Sequence, residues 1–197
     1  MKTSEVKAVF DSIKPDLIEL VRQISAKAGA VNDEVLHREY DEQAQWNFGL
    51  DVIKRYGFDF DRGRQDRSVH PFTTSFSIGD VRITTRVDRN FISPALFGTL
   101  HECGHALYEQ GFNQELERTP LADGASLGMH ESQSRMWENL VGRSRPFWQF
   151  FFPKLQAAFP TQLADHTLDS FYRAANKVSP SFIRVEADEV THALHIM

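Results

Sequence analysis

The residues best suited to chemistry form one short motif, His101-Glu102-Cys103-Gly104-His105, which has the pattern H-E-x-x-H. Residues four apart lie on one face of an α-helix, so the imidazoles of His101 and His105 can bind one metal ion together. The carboxylate of Glu102 then lies beside the ion, where it can take a proton from a metal-bound water. The motif therefore predicts a helix that carries a hydrolytic metal centre.

A catalytic zinc site needs a third protein ligand and one open position. A histidine six residues beyond the second one would be one solution, but Gly111 occupies that position. The other common solution is a glutamate on a following helix, and Glu131 lies near the start of such a predicted helix. Glu131 is therefore our predicted third ligand, and the adjacent His130 is its rival. Glu138 is expected to support the site or to pair with Arg135 rather than to bind the ion.

Two residues inside the motif are expected to serve the fold. Cys103 lies about 200° around the helix from His101, so we interpret it as a small buried core residue, with a thiolate ligand as the alternative. Gly104 has no side chain beyond a hydrogen, which would let another segment pack closely against the metal helix.

The hydrophobic periodicity predicts a mainly α-helical chain with one β-hairpin. Residues 72–78 alternate and favour a strand, and 81–87 favour a second one after a tight turn. The hairpin comes just before the metal helix. Residues 58–67 are charged and contain glycine, so they are predicted to be a loop. The predicted helices cover about residues 5–28 with a break or kink at Pro15, 32–56, 93–110, 129–141 and 180–197.

The bulk composition is that of an ordinary soluble globular protein. The net charge is -5, which gives no indication of a nucleic-acid-binding surface. No stretch has the length and apolar character of a membrane span or a signal sequence. The single cysteine cannot form an intrachain disulfide and fits a reducing compartment. We therefore expect a cytoplasmic protein that binds neither nucleic acid nor membranes.

Five separated motifs resemble those of a known family, the metallocarboxypeptidases typified by thermostable carboxypeptidase Taq. The resemblance covers essentially the whole chain, with the motifs in the same order. In chain order they are His70-Pro71-Phe72 for H-P-F, Asp80-Val81-Arg82-Ile83-Thr84 for D-x-R-x-T, His101 to His105 for the zinc helix, His130-Glu131-Ser132-Gln133 for the third-ligand element, and Ile183-Arg184-Val185-Glu186-Ala187-Asp188 for I-R-x-x-A-D.

The resemblance implies a helical, zincin-like metallopeptidase core with a small β-sheet beside the zinc helix. It implies removal of single amino acids from peptide C-termini, with zinc or cobalt bound, often by a homodimer. The family's metal ligands fall on His101, His105 and Glu131, and its catalytic glutamate falls on Glu102. These assignments agree with those made from the residues alone.

Substrate recognition is expected to involve arginine, whose planar guanidinium can bind a terminal carboxylate with two hydrogen bonds. The resemblance points to Arg82 and Arg184 for this role, and to His70 as a residue that shapes the cleft or polarises the scissile carbonyl. The alternative for either arginine is a structural ion pair, such as Arg184 with Asp188 four residues later.

Members of the family are much longer than 197 residues, and the motif G-x-x-Q-D-x-H-W does not occur in this sequence. We therefore expect residues 1–197 to form a single catalytic-core domain of a longer metallocarboxypeptidase. Two alternatives stay open from the sequence: a metal-binding or oligomerising module without activity, and a zinc oligopeptidase or endopeptidase that uses the same metal chemistry.

Overall fold

The computed structural model describes residues 2–27, 29–180 and 188–192. The chain divides into two compact units, one formed by residues 34–175 and the other by residues 1–33 together with 176–197. Arg184 and most of the predicted helix over 180–197 lie outside the described residues. That the whole chain forms one catalytic-core domain stays a prediction.

The predicted mainly α-helical fold with a small sheet is confirmed. The α-helices are α1 (Thr3–Ser25), α2 (Glu42–Tyr56), α3 (Ile92–Gln110), α4 (Leu127–Arg135), α5 (Arg145–Ala158) and α6 (Leu168–Ala175). The strands are β1 (Gly63–Arg67), β2 (Thr73–Ser77) and β3 (Asp80–Thr85). Within the described residues, short 3₁₀-helices cover Glu34–His37 and Gln114–Leu116, and a π-helical segment, Met136–Val141, follows α4 directly.

The sheet has the strand order β1-β3-β2. Strands β2 and β3 form the predicted antiparallel hairpin, with Thr73 opposite Ile83 and Thr74 opposite Arg82. Because successive residues of a strand point to opposite faces, Thr73 and Ile83 share one face of the sheet and Arg82 lies on the other. Ile83 is fully buried, whereas Arg82 is exposed.

Strand β1 is a correction, since residues 58–67 were predicted to be a loop. It pairs in parallel with β3, with Gly63 opposite Val81. Strand β1 carries almost no apolar side chains, so its sequence has no pattern that predicts a strand. It is held in the sheet by main-chain hydrogen bonds to β3. Gly63 is required because a Cβ there would collide with the carbonyl oxygen of Val81.

Helix α2 begins at Glu42, ten residues later than the predicted start near residue 32. The Asp41 side chain accepts a hydrogen bond from the Ala44 amide and caps the helix. Gly57 ends it with a φ of 100°, a left-handed conformation that glycine adopts without strain. The first apolar residues of the predicted segment form the 3₁₀-helix Glu34–His37 instead.

Helix α3 lies at the centre of the core of the 34–175 unit. Its buried residues include Leu100, Cys103 and Ala106, each with none of its surface exposed. Much of the surrounding core is aromatic, and Trp148 of α5 is also fully buried. The burial of Cys103 confirms the interpretation of this residue as part of the core. A helix packed on several sides gives the side chains it carries fixed positions.

The other unit contains α1, none of whose residues is buried. The helix continues through Pro15, so the chain does not break there. Several apolar side chains of α1 are about half exposed, among them Val9 and Ile18. Among the helices of the described residues, none combines the length and the apolar character needed to cross a lipid bilayer.

Candidate metal centre

Helix α3 presents His101 and His105 one turn apart, as the motif predicted. The carboxylate oxygen Oε2 of Glu131 lies 3.7 Å from His101 Nε2 and 3.4 Å from His105 Nε2. Each of the three residues offers one ligand atom, and these atoms all lie within 4.8 Å of one another. Three potential ligands from two helices therefore converge on one point.

Helix α4 places Glu131 at this point because its main chain packs directly on Gly104 of α3, which has no side chain to separate the two helices. A Cβ at Gly104 would lie 2.6 Å from Ser134 Cα and 2.7 Å from the carbonyl oxygen of Gln133, distances too short for real contacts. The predicted close approach at Gly104 is thus confirmed. Ser134 donates a hydrogen bond of 3.1 Å to Glu131 Oε2. The close contact with His105 chiefly lowers the pKa of Glu131, to about 2.

The ring nitrogen of His101 that does not face Glu131, Nδ1, contacts a buried carboxylate. His101 Nδ1 lies 2.9 Å from Glu138 Oε2, and Glu138 also pairs with Arg135 at 3.4 Å and with Arg143 at 3.2 Å. Burial would lower the pKa of His101, but the hydrogen bond and charge of Glu138, together with the charges of Glu102 and Glu131, outweigh burial and raise that pKa. The predicted ion pair of Glu138 with Arg135 is confirmed. The contact with His101 is also consistent with the predicted supporting role, which stays a prediction.

The ring nitrogen of His105 that does not face Glu131, also Nδ1, contacts a second imidazole. His105 Nδ1 and His130 Nδ1 lie 2.6 Å apart, and His130 Nε2 lies 2.6 Å from Glu109 Oε1. The ring of His130 is thus behind His105, away from the Nε2 atoms that face Glu131. In this arrangement His130 occupies a supporting position, and Glu131 occupies the position predicted for the third ligand.

Glu102 is held beside the three converging residues by the sheet. Its side chain is buried, and Thr73 of β2 donates a hydrogen bond of 2.6 Å to Glu102 Oε2. Burial raises the pKa of Glu102 above its ordinary value, against the effects of the Thr73 hydroxyl and the two histidines. Sequence reasoning assigned no role to Thr73, although the strand alternation could have identified it as a residue that faces the metal helix.

The donor set fits a divalent transition metal. Two imidazole nitrogens and one carboxylate oxygen are the ligands of many catalytic zinc sites, with one position left for water or substrate. In a tetrahedral zinc site the metal–ligand distances of about 2.1 Å separate neighbouring ligand atoms by about 3.4 Å. The distances of 3.4 and 3.7 Å from Glu131 to the two histidines match that spacing.

Comparison with known proteins agrees with this geometry. The sequence profile of the family described as carboxypeptidase Taq (M32) metallopeptidase matches residues 1–197. This chain belongs to that family. Membership in the M32 family implies a divalent metal ion, and His101, His105 and Glu131 form the candidate site for it.

The M32 relatives are considerably longer than this chain. "Thermostable carboxypeptidase 1" of Thermus thermophilus is 48% identical over 197 residues, which are 100% of this chain and 38% of that protein. "Carboxypeptidase 1" of Bacillus subtilis is 46% identical over 189 residues, covering 96% of this chain and 38% of that protein. The crystal structure of an M32 carboxypeptidase from Deinococcus radiodurans aligns with a TM-score of 0.96 at 49% identity, covering 100% of this chain and 39% of that one.

Of the three residues predicted to bind substrate, Arg82 and His70 lie within the described part of the chain and make the following contacts. Arg82 is on the sheet face opposite Thr73 and forms two hydrogen bonds of 2.8 Å with Asp80. The side chain of His70 is exposed, and its carbonyl oxygen accepts a hydrogen bond from Ser68. Arg184 lies outside the described residues. Substrate-binding roles for these three residues stay predictions.

Proposed function

We propose that this chain carries the catalytic centre of a metal-dependent carboxypeptidase, which releases single amino acids from the C-termini of peptides. The observation that supports it is the convergence of His101, His105 and Glu131 with a buried Glu102 beside them. The M32 family membership adds the reaction class, because the relatives are named as carboxypeptidases.

His101, His105 and Glu131 would hold a divalent ion, which would act as a Lewis acid towards water and the scissile carbonyl. Glu102 is the proposed general base. Its Oε2 accepts the Thr73 hydrogen bond, which holds the carboxylate in place and leaves Oε1 to take a proton from the attacking water. When the C–N bond breaks, Glu102 gives that proton to the leaving amine. The raised pKa of Glu102 suits a group that must both accept and donate a proton.

The substrate carboxylate is proposed to be bound by Arg184 or Arg82, and His70 is proposed to shape the cleft. Arg82 already has a partner, since Asp80 accepts both of its hydrogen bonds. A substrate carboxylate at Arg82 would therefore have to displace Asp80. Substituting Arg82 by Lys would remove bidentate binding and is expected to raise KM more than it lowers kcat if Arg82 binds substrate.

Zinc is the proposed ion, with cobalt as an alternative, because imidazole and carboxylate ligands in this combination suit both. A homodimer in the cytoplasm is the proposed assembly and location. The ion is proposed from the donor set and the family resemblance, the homodimer from the resemblance, and the location from the single cysteine. Metal analysis, sedimentation and cell fractionation test them in turn.

The test is a C-terminal ladder assay on a defined peptide, followed by mass spectrometry with the zinc-loaded chain. Stepwise loss of single residues is expected. Glu102→Gln should retain zinc and lower kcat by about 10²–10⁴-fold, because it removes the general base and leaves the ligands in place. The matched control is Glu115→Gln, the same change at an exposed glutamate, which should leave kcat unaltered. Normal cleavage by Glu102→Gln would show that the base is wrongly assigned.

A second candidate function is a metal-binding module without peptidase activity. It is kept because the chain spans 38% of the length of each relative named above, so the relatives' activity is not thereby established for this chain. The same assay separates the candidates: bound zinc without any cleavage supports this module, and internal cuts support an endopeptidase. Stepwise C-terminal loss supports the carboxypeptidase alone.

A further inference from the structure

A chain of hydrogen bonds runs from strand β2 to the back of His105. Ser75 donates a hydrogen bond of 2.8 Å to Glu109 Oε2. The other oxygen of Glu109 lies 2.6 Å from His130 Nε2, and His130 Nδ1 lies 2.6 Å from His105 Nδ1. The four residues come from three elements, β2, α3 and α4, so this arrangement depends on the fold rather than on sequence proximity.

The chemistry of each group assigns the protons in this chain. An ionised Glu109 can only accept hydrogen bonds, so His130 must carry its proton on Nε2. The Nδ1 of a neutral His130 then has a free lone pair and accepts from His105, which must carry its proton on Nδ1. That tautomer leaves the lone pair of His105 Nε2 pointing at Glu131 and the metal position. The opposite assignment would place a proton on Nε2 and block the ligand atom.

The contacts around His130 keep its ring in this position. The side chains of Glu109, His130 and His105 are only 13%, 22% and 16% exposed. The ring of Tyr108 meets His130 edge-on with the ring centroids 5.2 Å apart. On another side, a Cβ at Gly124 would lie 3.0 Å from His130 Cδ2, so the loop before α4 passes close to the ring. The imidazole is therefore confined as well as hydrogen-bonded.

We propose that His130 and Glu109 are positioning residues that hold His105 in the tautomer and orientation required to bind the metal ion. The inference rests on the proposed function, because it presupposes that His105 is a metal ligand. His130 acts only through His105 and does not touch the ion or the substrate. Hydrogen-bonded groups behind a ligating histidine raise its basicity and fix its ring, and their loss commonly weakens metal binding by about 10–100-fold.

The test compares zinc affinity in two variants of nearly equal size, His130→Asn and His130→Leu. Asparagine can place an acceptor oxygen near the position of Nδ1, whereas leucine cannot. His130→Leu is expected to raise the zinc Kd by about 10–100-fold, and His130→Asn is expected to recover most of that loss. The control is His166→Ala, which removes an imidazole that contacts Ser170 outside this chain of hydrogen bonds. Equal Kd values for wild type, His130→Asn and His130→Leu would overturn the proposal.

A second measurement needs no substitution and so cannot be lost to misfolding. In long-range ¹H–¹⁵N spectra of the zinc-loaded wild type, His105 should show a slowly exchanging Nδ1 proton and His130 should be neutral with its proton on Nε2. A His130 protonated on Nδ1, or a His105 Nδ1 proton in free exchange with water, would contradict the proposal. If the wild type binds no zinc, it is the proposed function that fails.

Discussion

The two histidines of the candidate metal centre differ in the partner of the ring nitrogen Nδ1, which points away from Glu131. His101 contacts Glu138, a buried carboxylate that also pairs with Arg135 and Arg143. His105 contacts His130, a second imidazole whose other nitrogen meets Glu109. We call the first the Glu138 side and the second the His130 side.

The two sides are expected to contribute differently, the Glu138 side mainly to the stability of the fold and the His130 side mainly to metal binding by His105. On the Glu138 side, several charges are removed from water together, so the loss of one leaves buried charge without compensation. On the His130 side, two imidazoles lie between the ion position and Glu109, so a change there should act mainly on the orientation and the proton positions of His105. We therefore expect substitutions on the Glu138 side to unfold the protein more readily, and those on the His130 side to weaken metal binding more selectively.

The largest effect on stability is expected from Glu138→Ala. Removing this carboxylate takes a counter-charge from two arginines in a buried setting, and should lower the free energy of unfolding by about 3 kcal/mol. Urea denaturation of the metal-free protein measures this. The conservative control Glu138→Gln keeps an oxygen for His101 Nδ1 and should lose less. On the His130 side, Glu109→Ala should cost less than Glu138→Ala, and an equal cost would remove the distinction.

Gly104→Ala should disturb both sides at once. The added Cβ would meet the main chain of α4 at 2.6–2.7 Å, and α4 carries Glu131 and His130 and leads into Glu138. Overpacking of this kind costs about 1–3 kcal/mol, and the displaced Glu131 should weaken zinc binding as well. Calorimetric zinc titration together with thermal unfolding tests this. Gly128→Ala is the control, because a Cβ there would meet only Ser126 Oγ at 3.9 Å. A Gly104→Ala protein with wild-type zinc affinity would mean that α4 is free to shift without loss.

A smaller effect is expected from Ser75→Ala at the far end of the His130 side. The variant loses one hydrogen bond to Glu109 at an exposed serine, worth about 1 kcal/mol or less. Glu109 keeps its contact with His130, so the zinc Kd should change by no more than about threefold. A tenfold or greater change would show that the position of Glu109 depends chiefly on strand β2.

The smallest effect is expected at Cys103, which lies within the motif but on the core side of α3. Burial raises the pKa of this thiol well above its usual range, so the reactive thiolate is absent at neutral pH. A thiol reagent should leave the native protein unmodified at pH 8, and zinc should make no difference to that result. Modification should follow unfolding in urea. Rapid labelling of the native protein, slowed by zinc, would instead place Cys103 at the ion.

The sequence could predict those parts of the centre that depend on local periodicity. The i, i+4 spacing of His101 and His105 indicated one helix face, and the alternation of residues 72–78 indicated strand β2. Gly104 could be interpreted as a contact point because a glycine inside a helix has little local benefit. Glu131 could be chosen because it starts a helix soon after the motif.

Contacts between residues far apart in the sequence could not be predicted in the same way. Strand β1 forms through main-chain pairing with β3, which leaves no side-chain pattern to detect. The contact of Thr73 with Glu102 spans 29 residues, and that of Ser75 with Glu109 spans 34. Such contacts depend on how the sheet docks on α3. Arg82 is the opposite case. A motif predicted that it binds substrate, but its position in strand β3 places it on the sheet face opposite Thr73.

The most direct test of the account is the zinc K-edge X-ray absorption spectrum of the zinc-loaded chain. We predict one zinc per chain with only nitrogen and oxygen neighbours at about 2.0–2.2 Å, and a multiple-scattering pattern from two imidazoles that His105→Ala reduces to one. A sulfur neighbour at about 2.3 Å, or an imidazole count that does not change in His105→Ala, would contradict the assignment of His101, His105 and Glu131 as the metal ligands.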